Sequence, residues 1–139
     1  MIAAGILALV VVGASQALLT ANRMAGASRV LTAARSVVQR NIDTALTTTF
    51  TQSVTPAILA TTAAGGQTWD DDGGADNVVQ IAVQDNNTAI VASGVLTRTV
   101  LPIANADNAV VLKVTFSLTY SYRGRTETIA MTTIRARDD

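Results

Sequence analysis

No charged side chain occurs before Arg23. The opening run, Met1-Ile2-Ala3-Ala4-Gly5-Ile6-Leu7-Ala8-Leu9-Val10-Val11-Val12, is apolar or small at every position. A helix over residues 1–22 is about 33 Å long, close to the thickness of a bilayer's hydrocarbon core. A chain that starts this way must give that segment lipid or other helices to lie against. A signal peptide would need a basic region ahead of the apolar run and a small-residue cleavage site. No Lys or Arg precedes the run, and the helical pattern passes Thr20 unbroken. The segment therefore reads as a spanning helix or a filament core. Gly5 and Gly13, with Ala3, Ala4, Ala8, Ala14 and Ala17, keep its surface small enough for close helix packing.

The pattern continues beyond Arg23. Met24, Ala27, Val30, Leu31, Ala34, Val37, Val38, Ile42, Ala45 and Leu46 recur at spacings of three and four, one face of a helix. Ser28, Arg29, Ser36, Gln39, Arg40 and Asp43 fill much of the rest. The expectation is one helix over 1–46, apolar all round in 1–22 and amphipathic in 23–46, with Met24, Leu31, Val38 and Ile42 packing on a sheet. No proline interrupts it before Pro56. Thr47-Thr48-Thr49 should end it, because β-branched residues in series lose rotamer freedom in a helix.

Residues 47–139 form the expected β-rich head. Its first part, 47–77, is a Thr-rich connection with a short strand or turn near Ala57–Ala60. Gly65-Gly66 and Asp70-Asp71-Asp72-Gly73-Gly74 bracket Trp69 and mark a surface loop. Val78–Gln84 then alternates as a strand. Thr88–Ser93 and Val95–Leu101 read as two strands separated at Gly94 by a bulge or turn, and Pro102–Asn108 as a loop. Val110–Tyr122 is the longest strand, with Phe116 and Leu118 among its inward residues. Arg123-Gly124 is a turn, and Arg125–Arg135 returns as an antiparallel partner. The fold class is α+β: a long N-terminal helix packed on an antiparallel sheet of four or five short strands.

Composition narrows the function. Charged residues are only 14% and apolar residues 49%, which suits a membrane or a dense polymer better than an ordinary soluble domain. Net charge is zero but divided. Residues 1–42 carry Arg23, Arg29, Arg35 and Arg40 and no acid; the remainder carries more acid than base. These arginines could pair with acids on neighbouring copies, or be an ordinary solvated side. No basic field of the nucleic-acid-binding kind is present. The chain has neither His nor Cys, and with one Glu it offers no catalytic motif. A non-enzyme without a cofactor is expected. Asp70, Asp72 and Asp76, among flexible glycines, could offer hard oxygen ligands to Ca²⁺. Their spacing is not that of an EF-hand, and a solvated acidic loop accounts for them better. Asn86-Asn87-Thr88 fits the N-glycosylation pattern, although β-propensity and solubility explain it better.

Taken together, the apolar start, the unbroken amphipathic continuation and the β head resemble bacterial type IV pilins and the pseudopilins of type II secretion. Met1-Ile2-Ala3-Ala4-Gly5-Ile6-Leu7-Ala8-Leu9-Val10 is similar to the prepilin signature just after its glutamate. Ala21-Asn22-Arg23-Met24 and Ala34-Arg35-Ser36-Val37-Val38-Gln39 resemble the helix beyond it, and the hairpin Val114–Arg125 resembles the family's terminal strands. The family's N-terminal glutamate and leader have no counterpart: Glu127 is the chain's one Glu. Either the sequence begins a few residues inside the mature N-terminus, or Met1 is the start and the glutamate contact is lacking. The family's helix proline is missing too, so any local melting would fall near Gly13-Ala14-Ser15 or be absent.

The resemblance implies a subunit held in the inner membrane, extracted by a pilus assembly machinery and polymerised with itself into an extracellular filament. Ile2, Ile6, Leu7, Leu9, Val10, Val12, Gly13, Leu18 and Leu19 would then form the filament core, with no nucleic acid in the filament. Some pseudopilins hold calcium in an acidic loop, which keeps the Asp70 segment in view. The alternatives are a secretion pseudopilin, a single-pass anchor for a β-rich binding module and, less consistent with the apolar face of 24–46, a secreted binding module.

Overall fold

The computed structural model describes residues 2–71, 78–83, 90–104 and 110–138. One helix, α1, runs without interruption over Ile2–Thr47, about 69 Å at 1.5 Å per residue. Its end has a local cause. Thr44, Thr47 and Thr48 each turn a hydroxyl back onto the carbonyl four residues earlier, at 2.8, 2.8 and 2.6 Å. These side chains compete with the backbone for the last carbonyls and weaken continuation.

The sheet has five strands: β1 (Gln67–Thr68), β2 (Val79–Val83), β3 (Ile90–Ile103), β4 (Val111–Tyr122) and β5 (Arg125–Ala136). All pairings are antiparallel, in the order β1-β3-β4-β5, with β2 beside β1 on the same edge of β3. β4 and β5 pair residue for residue from Tyr122–Arg125 to Val111–Ala136. Their two-residue turn has positive φ at both Arg123 and Gly124, the turn geometry whose twist matches paired strands.

Three expectations change here. Gly94 neither bulges nor turns; β3 runs straight through it. A Cβ at Gly94 would stand 2.8 Å from the Thr119 carbonyl and 2.9 Å from the Tyr120 Cβ. Glycine therefore serves close strand approach at this position. Pro102 belongs to β3 rather than to a loop. Val100, of the same alternation, aims its N–H away from β4 toward Thr62, so Pro102 lacks a donor on the edge beyond β1, where none is needed. Of the strand or turn expected near Ala57–Ala60 the structure has the turn, one of 3₁₀ helix over Ala57–Leu59 with Ile58 and Leu59 buried. Three of the strands are long, not short, at 14, 12 and 12 residues.

The core lies between the C-terminal part of α1 and one sheet face. Val30, Ala34, Val37, Val38, Ile42 and Ala45 meet Leu96, Val100, Val114, Phe116 and Leu118. Phe116, Leu118 and Val38 are fully enclosed, and Ile42 is buried. Leu31 is half-buried at the margin. Met24 is a correction. It is 68% exposed, because the sheet ends at Tyr122, which reaches the helix at Gly26, short of residue 24.

The Thr-rich connection is bound to β3 rather than loose over it. Thr62 N–H donates to the Val100 carbonyl at 3.0 Å and Trp69 N–H to the Leu96 carbonyl at 2.8 Å. Phe50 closes the far end of the core. Its N–H donates to Asp138 Oδ2 at 2.8 Å, and Arg135 Nη2 holds the same oxygen at 2.6 Å.

Candidate assembly surface

The residues singled out for the filament core lie on the helix half that the head leaves bare. From Gly5 to Arg29, every side chain described is exposed except at Gly26. Leu9 is 75% exposed, Leu18 69% and Val12 60%. Ile6, Leu7, Val10 and Leu19 are exposed as well. Gly13 has open space around it. The side chain of Ile2 lies outside the described set. These positions fall on every face of the helix, since consecutive residues are about 100° apart. The exposed surface is an apolar cylinder rather than a stripe.

Two of its polar residues, Ser15 and Thr20, are muted by local bonding. Ser15 Oγ donates to the Val11 carbonyl at 2.8 Å and Thr20 Oγ1 to the Gln16 carbonyl at 2.9 Å. A hydroxyl satisfied by its own helix costs little in an apolar surrounding. The helix stays regular through Gly13-Ala14-Ser15. Its mean hydropathy reaches 1.7 over an 18-residue window, with none of that window buried. One helix, then, is long and apolar enough to cross a membrane.

Arg23, Arg29, Arg35 and Arg40 are all exposed. Arg40 pairs with Asp71 of its own chain, a partner that neither alternative weighed for these arginines had named. Asp71 is turned inward to make that pair, and its Oδ2 also accepts from Asn41 Nδ2 at 2.9 Å. Asn41 is buried; its Oδ1 accepts from Trp69 Nε1 at 3.1 Å. Arg98 lies 4.7 Å above the Trp69 ring and donates to the Ala57 carbonyl. Burial lowers the Arg98 pKa from its ordinary value. The five side chains form a latch that fixes the Gly65–Asp71 segment onto helix and sheet.

The calcium hypothesis gains nothing from this arrangement. Asp72 and Asp76 lie outside the described residues, as does Asn86-Asn87-Thr88. Among the described residues no group of three His, Cys, Asp or Glu side chains could hold a metal.

Sequence reasoning missed the latch. One signal was available: Arg98 occupies the inward alternation of β3 between Leu96 and Val100, and a charge there demands partners. The bond between Asn41 and Trp69 spans 28 residues and leaves no local trace. No family model, curated protein or solved structure matches the chain.

Proposed function

We propose that the chain is the structural subunit of a pilin-like helical filament, polymerising through the bare half of α1 and carrying its β head outside. The observation that carries this reading is the contrast along one rigid helix. Residues 30–45 bury a single stripe in the head, while residues 5–29 expose apolar side chains on every face. Such a surface far exceeds what a soluble monomer tolerates. A sided stripe would call for one partner helix; an apolar cylinder calls for surroundings on all sides. Lipid supplies them before assembly and sister helices afterwards. Gly5, Gly13, Ala14 and Ala17 let sister backbones approach closely. Each helix would meet different faces of its neighbours, so the contact is heterologous, and a heterologous contact that does not close builds a fibre.

In this reading the unassembled subunit sits in the inner membrane, an assembly machinery extracts it, and the filament serves adhesion, motility or DNA uptake. A secretion pseudopilin would use the same surface in a shorter polymer. A single-pass anchor displaying a β-rich binding head is the other reading, favoured by the fact that lipid alone also satisfies a cylinder. No catalytic role is proposed.

Electron cryomicroscopy of material sheared from cells expressing the chain tests the proposal. Thin uniform filaments with helical density along the axis are expected. Membrane-bound monomer with no filament under any growth condition would defeat the pilus reading and leave the anchor.

A further inference from the structure

Where α1 leaves the head there is a cavity of about 800 Å³. Thr20, Met24 and Ala27 form its helix wall, and Tyr122 its floor; Arg23, Arg123 and Arg125 stand around it. The cavity exists because the β4–β5 turn leans on the helix. Tyr122 packs its hydroxyl against Gly26 so closely that a Cβ there would stand 2.8 Å from the oxygen. This contact carries Arg123 of the turn and Arg125 at the start of β5 to the arginine on the helix. Arg123 also lies over the Tyr122 ring at 5.4 Å. Described side chains form the ion pairs Arg40–Asp71 and Arg135–Asp138, and among the described residues none of the three has a carboxylate within ion-pair distance. Glu127 lines the adjoining cavity with Arg125 and offsets part of the charge.

The position matters as much as the charge. The 22 residues before Arg23 carry no charge and match a bilayer core in length. With that segment in lipid, which is the membrane step of the function proposed above, Arg23 lies at headgroup depth and the cavity opens on the membrane surface.

We propose that the cavity is a headgroup site for an anionic phospholipid. The guanidiniums take the phosphate oxygens, for which their planar paired donors are suited. Met24 and Ala27 meet the glycerol end, and the acyl chains run down the same face of the apolar helix, past Thr20 toward Ala17 and Gly13. A lipid so bound, with its single negative charge, offsets part of the positive charge that like-charged sister subunits would otherwise bring together in a filament.

The test uses the full chain in nanodiscs of equimolar phosphatidylcholine and phosphatidylglycerol, with native mass spectrometry of the lipid retained after detergent extraction. Wild type should retain phosphatidylglycerol in preference, and each arginine replaced should reduce that preference about fivefold. The variants are Arg23→Gln on the helix surface, where the hairpin cannot be disturbed, and Arg123→Gln with Arg125→Gln on the hairpin. Lys113→Gln, on the sheet face turned away from the helix, should leave it unchanged. Equal retention of the two lipids by wild type, or an undiminished preference in both arginine variants, overturns the proposal. So does displacement of the lipid by millimolar inorganic phosphate, which would make this a free-phosphate site. A chain that never enters the nanodisc overturns the membrane reading and this site with it; one that enters without a lipid preference overturns this site alone.

Discussion

The two halves of α1 are built from similar residues and meet opposite fates. Residues 5–29 are rich in Ala, Leu and Val and lie in the open; residues 30–45 are rich in the same types and hold the core together. Composition does not separate them, but periodicity does. The buried positions 30, 34, 37, 38, 41, 42 and 45 follow the 3.6-residue repeat closely and trace one stripe. Ahead of residue 24 there is no polar face to define a stripe. A patterned half is directed at one surface, and an unpatterned apolar half at a surrounding medium. The comparison teaches that the head's stability and the chain's assembly are separable, because they draw on different lengths of the same helix.

The largest effect should come from breaking the buried half. Phe116→Ala removes a fully enclosed ring facing the helix and should cost about 3–5 kcal/mol, read as a lower urea midpoint in detergent solution. Leu9→Asp or Val12→Asp should do the reverse. Neither side chain touches the head, so the urea midpoint should stay within error. A charge at mid-helix opposes insertion by about 2.5–3.5 kcal/mol, and filaments should vanish from sheared material. Normal filaments with either aspartate would end the separation of the halves.

Between these lies Asn41, on the buried half but facing the latch. Asn41→Ala leaves Trp69 Nε1 without its acceptor and Asp71 without one donor. It should cost about 1–3 kcal/mol, with a red shift of the Trp69 emission as the loop lifts. Gain is also available in the hairpin. Arg123 holds a left-handed φ of 51° at the hairpin turn, which asparagine adopts more readily. Arg123→Asn should raise stability by about 0.5–1 kcal/mol, measured by thermal melting.

The smallest effect concerns the far end of the head. The Phe50 N–H and Arg135 hold the Asp138 carboxyl below its ordinary pKa of 3.8. A depressed carboxyl pKa gives stability that is full above the unfolded value and lost as pH falls through the folded one. Wild type should therefore weaken below about pH 4, and Asp138→Asn should flatten that part of the acid limb. An unchanged acid limb would show that the Phe50–Asp138 clasp contributes nothing.

Much of this architecture was legible in the residues. The helix and its end at the threonine run followed from periodicity and rotamer restriction. The β4–β5 hairpin followed from alternation on either side of Arg123-Gly124. These signals are local, carried by neighbours within about one turn or one strand. Gly94 and Pro102 misled for the same reason. Each breaks a strand by local propensity, yet each is required or tolerated by what lies across the sheet: the Tyr120 side for Gly94, an open edge for Pro102. Met24 misled because the pattern continued past the end of its partner; the helix repeat does not state how far the sheet reaches.

The sequence by itself determined that an uncharged helix of membrane length leads the chain and that an antiparallel sheet follows, because hydrophobic period and turn chemistry act between near neighbours. Only the tertiary structure decided where the head stops covering the helix, that Asp71 turns inward to Arg40 and Asn41, and that three arginines meet at the hairpin tip. Those outcomes depend on contacts between residues tens of positions apart. Burial, charge pairing and close packing select such contacts only once the whole chain has folded.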